Sequence, residues 1–175
     1  MTADNHPVVK DYIIPLARYP HLKETQTLHD AVQAIQEFTC GENNRLRYSE
    51  MLVVNERNQL VGRLSIENIL EGLDKRLVEV PKVKGFEGKG GEYPNLSILW
   101  EDSFFMKCTE KKDEQIKGFM TPTDRLVKGS DSLLKALSIM LHTKEVILPV
   151  SDQERIIGVI RLEEIFKAIC SVCKL

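Results

Sequence analysis

An excess of charge of one sign is missing from this chain. Its 24 Lys and Arg against 26 Asp and Glu leave a formal net charge of -2. A surface built to hold the phosphate backbone of nucleic acid needs a large basic excess, so nucleic acid is not an expected partner. Long apolar runs are missing as well. A membrane-spanning helix needs about 18 or more consecutive apolar residues, and no such run occurs, so no membrane partner is expected. Residues 1–10, with Asp4, Asn5, His6 and Pro7, lack the basic start and apolar stretch of a secretory signal. Cysteine is sparse: Cys40, Cys108, Cys170 and Cys173. Together these features set a cytoplasmic, reduced location as the expectation. His6, His21, His29 and His142 are scattered and form no nucleophile-base pattern with Ser or Cys, so no catalytic role is expected.

What is present is a repeat. Val9-Lys10-Asp11-Tyr12-Ile13-Ile14-Pro15 is echoed by Ile116-Lys117-Gly118-Phe119-Met120-Thr121-Pro122. A helix follows in each copy. The first has Thr27 as N-cap and Leu28, Ala31, Val32 and Ile35 on one face; the second has Leu133, Ala136, Leu137 and Met140. An apolar strand comes next, Met51-Leu52-Val53-Val54 against Ile147-Leu148-Pro149-Val150, then a polar turn of hairpin size. A second strand carries Gly62 or Gly158. A closing helix then places Ile66, Ile69, Leu70 and Leu73, or Leu162, Ile165, Phe166 and Ile169, at i, i+3, i+4 and i+7. From Val54 or Val150 onward the copies align without a gap. The expected fold is therefore α/β (α+β), with two βαββα units. The units span residues 8–74 and 114–170, with a linker at 75–113 and, in the first, a polar insertion near 39–49 that reads as an extended loop.

The sequences Met120-Thr121-Pro122, Leu148-Pro149-Val150 and Gly62-Arg63-Leu64-Ser65-Ile66-Glu67-Asn68 resemble the CBS domain family. The resemblance implies a tandem pair packed about a pseudo-twofold axis, commonly dimerised into a homodimer. It also implies a cleft that binds an adenosine-containing ligand such as AMP, ADP, ATP or S-adenosylmethionine, and regulation of another protein. By the same resemblance Ser65 faces phosphate and Asn68 holds the ribose diol, with Arg63 on the strand before them. Ile14, Pro15, Leu52 and Val53 enclose the adenine.

The residues themselves suit this role. Ser65 follows a strand and opens a helix, whose first N–H groups and partial positive charge suit an anion. Asn68 can both donate to and accept from a diol. A plain alternative stands beside this reading, in which Ser65 caps its helix and Asn68 assists. The second copy carries Arg161 and Glu164 at these places. Arg161 either reaches across the cleft to the phosphates of a nucleotide held by the first copy, or pairs with Glu164 and closes its own site. With no effector domain in the sequence, the regulated target is expected to be another chain. The alternative function is a dimerisation or scaffold module with a degenerate site.

Three further features carry less. Gly85-Phe86-Glu87-Gly88-Lys89-Gly90-Gly91 lacks the spacing of a phosphate loop and reads as linker. Cys170-Ser171-Val172-Cys173 has the spacing of a zinc or redox pair without further ligands nearby, so no metal is expected. Leu96, Trp100 and Phe104, four apart, fit one helical face that packs on its own domain, on a second copy or on a partner protein.

Overall fold

The computed structural model describes residues 6–78 and 101–174. The glycine-rich linker and Leu96 to Trp100 lie outside the described residues. The first half contains β1 (Ile14–Pro15), β2 (His21–Lys23), α1 (Leu28–Gln36), β3 (Thr39–Cys40), β4 (Arg45–Leu46), β5 (Glu50–Val54), β6 (Leu60–Ser65) and α2 (Ile66–Leu73). α3 (Glu101–Lys111) leads into the second half: β7 (Thr121–Pro122), β8 (Val127–Lys128), α4 (Leu133–Thr143), β9 (Ile147–Asp152), β10 (Arg155–Arg161) and α5 (Leu162–Cys173). Each unit has a short strand beyond the βαββα pattern ahead of its first helix (β2 or β8), and the first unit has two more, β3 and β4. The segment expected as an extended loop folds instead into the β3–β4 hairpin, whose turn holds Gly41 and Asn44 at positive φ.

Local chemistry starts the helices where the sequence placed them. Thr27 and Asp30 form a reciprocal capping box at α1, and Ser65 and Asn68 form another at α2. Leu28, Ala31 and Ile35 are buried, while Val32 stands at the solvent edge of that face. Ser132 caps α4 by accepting from the Lys135 N–H.

The chain's first turn of strand is where the two halves become one object. One sheet has the order β2-β5-β6-β7 and the other β1-β10-β9-β8. Each lead-in strand therefore joins the sheet of the opposite half: Ile14 and Pro15 face Val159 and Gly158, and Thr121 and Pro122 face Arg63 and Gly62. The glycines are required by this close approach. A Cβ on Gly158 would lie 2.2 Å from the Ile14 carbonyl oxygen, and one on Gly62 would lie 2.8 Å from that of Thr121.

Strand register corrects the gap-free alignment. Gly62 lies opposite Val53, whereas Gly158 lies opposite Val150. Val53, not Val54, is the counterpart of Val150, and the first turn has one residue more. Because side chains alternate along a strand, the offset decides which face each residue takes. Met51, Val53 and Leu64 enter one outer core beneath α1 and α2. Leu148, Val150 and Ile160 enter the matching core beneath α4 and α5. Tyr19, Tyr48, Leu52, Val54, Ile156 and Val159 form a third core between the sheets.

The helix α3 docks on the first half. Phe104 and Cys108, one turn apart, pack against its outer core. Arg76 donates from Nε to Asp74 Oδ1 at 2.9 Å, Lys107 pairs with Asp74 at 3.4 Å, and Lys111 donates to the Gly72 carbonyl at 2.6 Å. Hydrogen bonds from Arg76 hold the Asp74 carboxyl well below the usual carboxylate range. A carboxyl held low in the folded state adds stability above the ordinary Asp range, and the contribution is lost as pH falls through the folded value. The protection of α3 amides, taken relative to the intrinsic exchange rate at each pH, should therefore fall on acidification below about pH 4. In Asp74→Asn it should already be low at pH 7; equal protection of the variant and the parent at pH 7 would contradict this role.

Candidate functional site

Each closing helix begins beside the lead-in strand of the opposite half, the two places where the resemblance implies a ligand cleft. At the first, β6 delivers Arg63 and Ser65 to the face that looks toward the other sheet, as alternation requires. The Ser65 hydroxyl oxygen accepts from the Asn68 N–H at 3.0 Å, and Asn68 Oδ1 accepts from the Ser65 N–H at 3.1 Å. The capping role is thus realised. It leaves the Ser65 hydroxyl proton and the Asn68 amide NH2 outside the box, so both can still donate.

Beneath them lies a charged floor that joins the halves. Arg63 Nη1 is 3.3 Å from Glu50 Oε1 and Nη2 is 3.8 Å from Glu145 Oε2. Arg125 Nη1 in turn donates to Glu145 Oε1 at 2.6 Å. Only 13% of the Arg63 side chain is exposed. Its Nε and Nη2, together with Glu50 Oε1, are buried without a hydrogen-bond partner among the described residues. The Arg63 Nε and Nη2 donors are thus left unused, in a place where unused donors are costly. Burial pushes the Glu50 carboxyl above its ordinary range, against the pull of Arg63. Tyr19 donates from its hydroxyl to the Glu50 carbonyl at 2.9 Å, and burial raises its phenol far above the ordinary tyrosine value.

The second cleft has different chemistry. Arg161 donates from Nε to Glu164 Oε2 at 2.8 Å and from Nη2 to Oε1 at 2.5 Å, a two-pronged pair. Burial alone would raise the Glu164 carboxyl, and the bonds from Arg161 more than reverse that. Tyr19 and Tyr48 meet with ring centroids 4.7 Å apart, Phe38 lies 5.8 Å from Tyr48, and the Arg47 guanidinium stands 5.5 Å over the Tyr48 ring.

The expected site residues are therefore divided. Arg63, Ser65 and Asn68 lie together, beside Thr121 and Pro122. Ile14 and Pro15 lie on the other sheet, beside Val159 and Gly158, because the lead-in strands are exchanged. Leu52 lies under the first cleft in the central core with no exposed surface, whereas the Val53 side chain points the opposite way into the outer core. Arg161 is fastened to Glu164 on its own helix rather than extended toward Ser65. Sequence reasoning missed Glu50, Glu145 and Arg125. Their signal was a charged residue at or beside the start of an otherwise apolar strand.

The family model for the CBS domain matches residues 9–75 and 116–171. The chain belongs to the CBS domain family. It carries two CBS domains in tandem, and the exchanged strands give the pair its pseudo-twofold form. Solved CBS structures share this fold. A structure of CBSX2 in complex with AMP is 21% identical with a TM-score of 0.61, over 94% of this chain and 97% of that one. CBSX2 from Arabidopsis thaliana, a CBS-pair protein, is 17% identical with a TM-score of 0.65, over 98% and 99%. The CBS domains of a transcriptional regulator from Streptococcus pneumoniae are 15% identical with a TM-score of 0.59, over 92% and 98%. At such identities the likeness speaks for the fold. No curated protein matches the chain. Among the described residues no helix is long and apolar enough to cross a membrane. Cys170 and Cys173 are free thiols near the end of α5, and among the described residues no group of three or more His, Cys, Asp and Glu could hold a metal ion.

Proposed function

We propose that this CBS pair is a non-catalytic regulatory module that binds an adenine nucleotide or a related adenosyl ligand, S-adenosylmethionine included, in the cleft at Arg63, Ser65 and Asn68. The observation that carries the reading is the buried, unbonded pair of Arg63 donors beneath a capped helix start, in a fold whose solved relative CBSX2 holds AMP. Asn68 offers its amide to the ribose diol, Ser65 its hydroxyl and the helix N-terminus to an anionic group, and Arg63 the charge behind them. Units at 8–74 and 114–170 work together in the cytoplasm. Ligand favours one arrangement of the two halves, and a separate protein responds to it. A homodimer completes the reading. Leu70 and Phe166 occupy equivalent positions on the two closing helices and are 45% and 64% exposed, which suits a contact between copies.

Isothermal titration with AMP, ADP, ATP and S-adenosylmethionine tests this. At least one should bind, and Asn68→Ala should weaken it about tenfold, the worth of one hydrogen bond to a polar group. Thr27→Ala serves as the control: it removes the equivalent cap of α1, far from the cleft, and should cost stability without changing affinity. Failure of all four ligands would overturn the proposal. It would favour the scaffold reading, which the Arg161–Glu164 pair supports by closing the second cleft.

A further inference from the structure

The pseudo-twofold pairs residues of the two halves, and at one pair the chemistry is opposite. The closing helices start alike: the Ile66 N–H donates to the Ser49 carbonyl and the Leu162 N–H to the Val146 carbonyl, both at 2.9 Å. Ser49 and Val146 are therefore counterparts, as are Tyr48 and Glu145 just before them. Strand register likewise makes Val159 the counterpart of Arg63, since Leu52 lies opposite Arg63 and Pro149 opposite Val159. Tyr48 and Val159 both belong to the central core. The equivalent place across the axis holds Glu145 and Arg63, 3.8 Å apart. What is apolar between the halves on one side is ionic on the other.

That ionic contact is suited to exchange. Glu145 carries its own counter-ion, because Arg125, 48% exposed, donates to its Oε1 at 2.6 Å. Arg63 approaches Glu145 with Nη2, which makes no hydrogen bond among the described residues, and its Nε makes none either. A phosphate offers such donors short, charge-assisted bonds. Both nitrogens are buried, so the guanidinium must turn to present them at the start of α2, and the turn carries Nη2 away from Glu145. Glu145 then keeps Arg125 and is not stranded. It lies in the turn from α4 to β9, directly after Lys144, whose left-handed backbone ends α4.

We propose, resting on the adenosyl-ligand reading of the site at Arg63, Ser65 and Asn68, that Glu145 is its specificity- and response-determining residue. The carboxylate competes with a ligand's phosphate for Arg63. A phosphate-bearing ligand therefore replaces a contact between the halves with a contact to itself. It fits the state with the contact released better than the state with it made, and regulation requires such a difference.

Titration calorimetry of the intact protein with AMP, ATP and adenosine tests the competition. Glu145→Gln should bind both nucleotides about tenfold more tightly and change adenosine affinity by less than about twofold, since adenosine has no anion to compete. Arg125→Ala should weaken both nucleotides, because it leaves the full charge of Glu145 on Arg63. In the Glu145→Gln background it should have no effect. Arg125 is half-exposed, so its variant keeps the test should Glu145→Gln not fold. Hydrogen exchange at residues 143–147 reads the response: nucleotide should quicken it in the parent, and ligand-free Glu145→Gln should already exchange at the faster rate. Nucleotide affinity equal in Glu145→Gln and the parent would overturn the proposal and leave the functional reading standing. So would equal gains for adenosine, exchange at 143–147 that nucleotide leaves unchanged, or binding of S-adenosylmethionine without either nucleotide. A loss from Arg125→Ala that persists in the double variant would overturn it by making Arg125 a phosphate ligand in its own right. Absence of binding by every ligand, S-adenosylmethionine included, would remove the functional reading and the proposal together.

Discussion

Gly158→Ala lowers the free energy of unfolding by about 3 kcal/mol, at the upper end of what overpacking costs. The added methyl would stand 2.2 Å from the Ile14 carbonyl oxygen and 3.1 Å from the Pro15 Cα, so the obstacle is backbone on both counts. No side-chain rotation relieves it. The strand β1 must move off β10, which disturbs Ile14 and the central core it packs against. Gly62→Ala should cost clearly less. Its second neighbour at 3.0 Å is the flexible Met120 sulfur, although the Thr121 carbonyl at 2.8 Å must still shift. Gly118→Ala, with nothing within 4 Å, is the neutral reference. Urea unfolding of the three variants, followed by circular dichroism, measures the order. Equal stabilities for Gly158→Ala and Gly118→Ala would refute the exchanged pairing itself.

Arg63→Ala is expected to cost about 3 kcal/mol at pH 7, the lower end for breaking a buried ion pair. The lower end applies because Glu50 and Glu145 keep 24% and 23% of their side chains exposed. The variant leaves two carboxylates in one partly buried place with Arg125 alone to balance them. The pH dependence has a definite sign. Burial already raises the Glu50 carboxyl in the folded protein, and removing Arg63 raises it further. A carboxyl with a raised folded value is fully compatible with folding when protonated. Stability then falls as pH climbs from the unfolded value to the folded one, since the unfolded chain releases its proton first. Arg63→Ala should therefore regain much of its loss on acidification from pH 7 toward pH 5, and Arg63→Ala with Glu50→Gln should regain it at pH 7. Thermal melts across this range decide the matter. A deficit that stays constant with pH would show that Arg63 acts by packing alone.

Both effects arise at the junction of the halves, where the sequence was least informative about contacts. Helix starts were legible because capping is local: Thr27 with Asp30 and Ser65 with Asn68 act over three residues, and the structure shows both boxes. The apolar faces of α1, α2, α4 and α5 were legible for the same reason, as helical period is a property of neighbours. The family, too, could be named from Gly62 to Asn68 and its echo.

The placement of Ile14 and Pro15 was not legible. Two residues of extended chain state that a strand exists, but hydrogen bonds along a sheet edge do not depend on which half supplies the edge. Only the packed pair assigns them to β10 rather than β6. The face of Val53 was hidden by a one-residue difference in a hairpin turn, which reverses every side chain when register shifts. The ion floor of Arg63, Glu50, Glu145 and Arg125 brings together residues far apart in the chain. Sequence alone determined what each segment would form, because those interactions span a turn of helix or a step of strand. Tertiary structure decided which segments meet, because burying the inner faces of two sheets against each other is a property of the assembled pair.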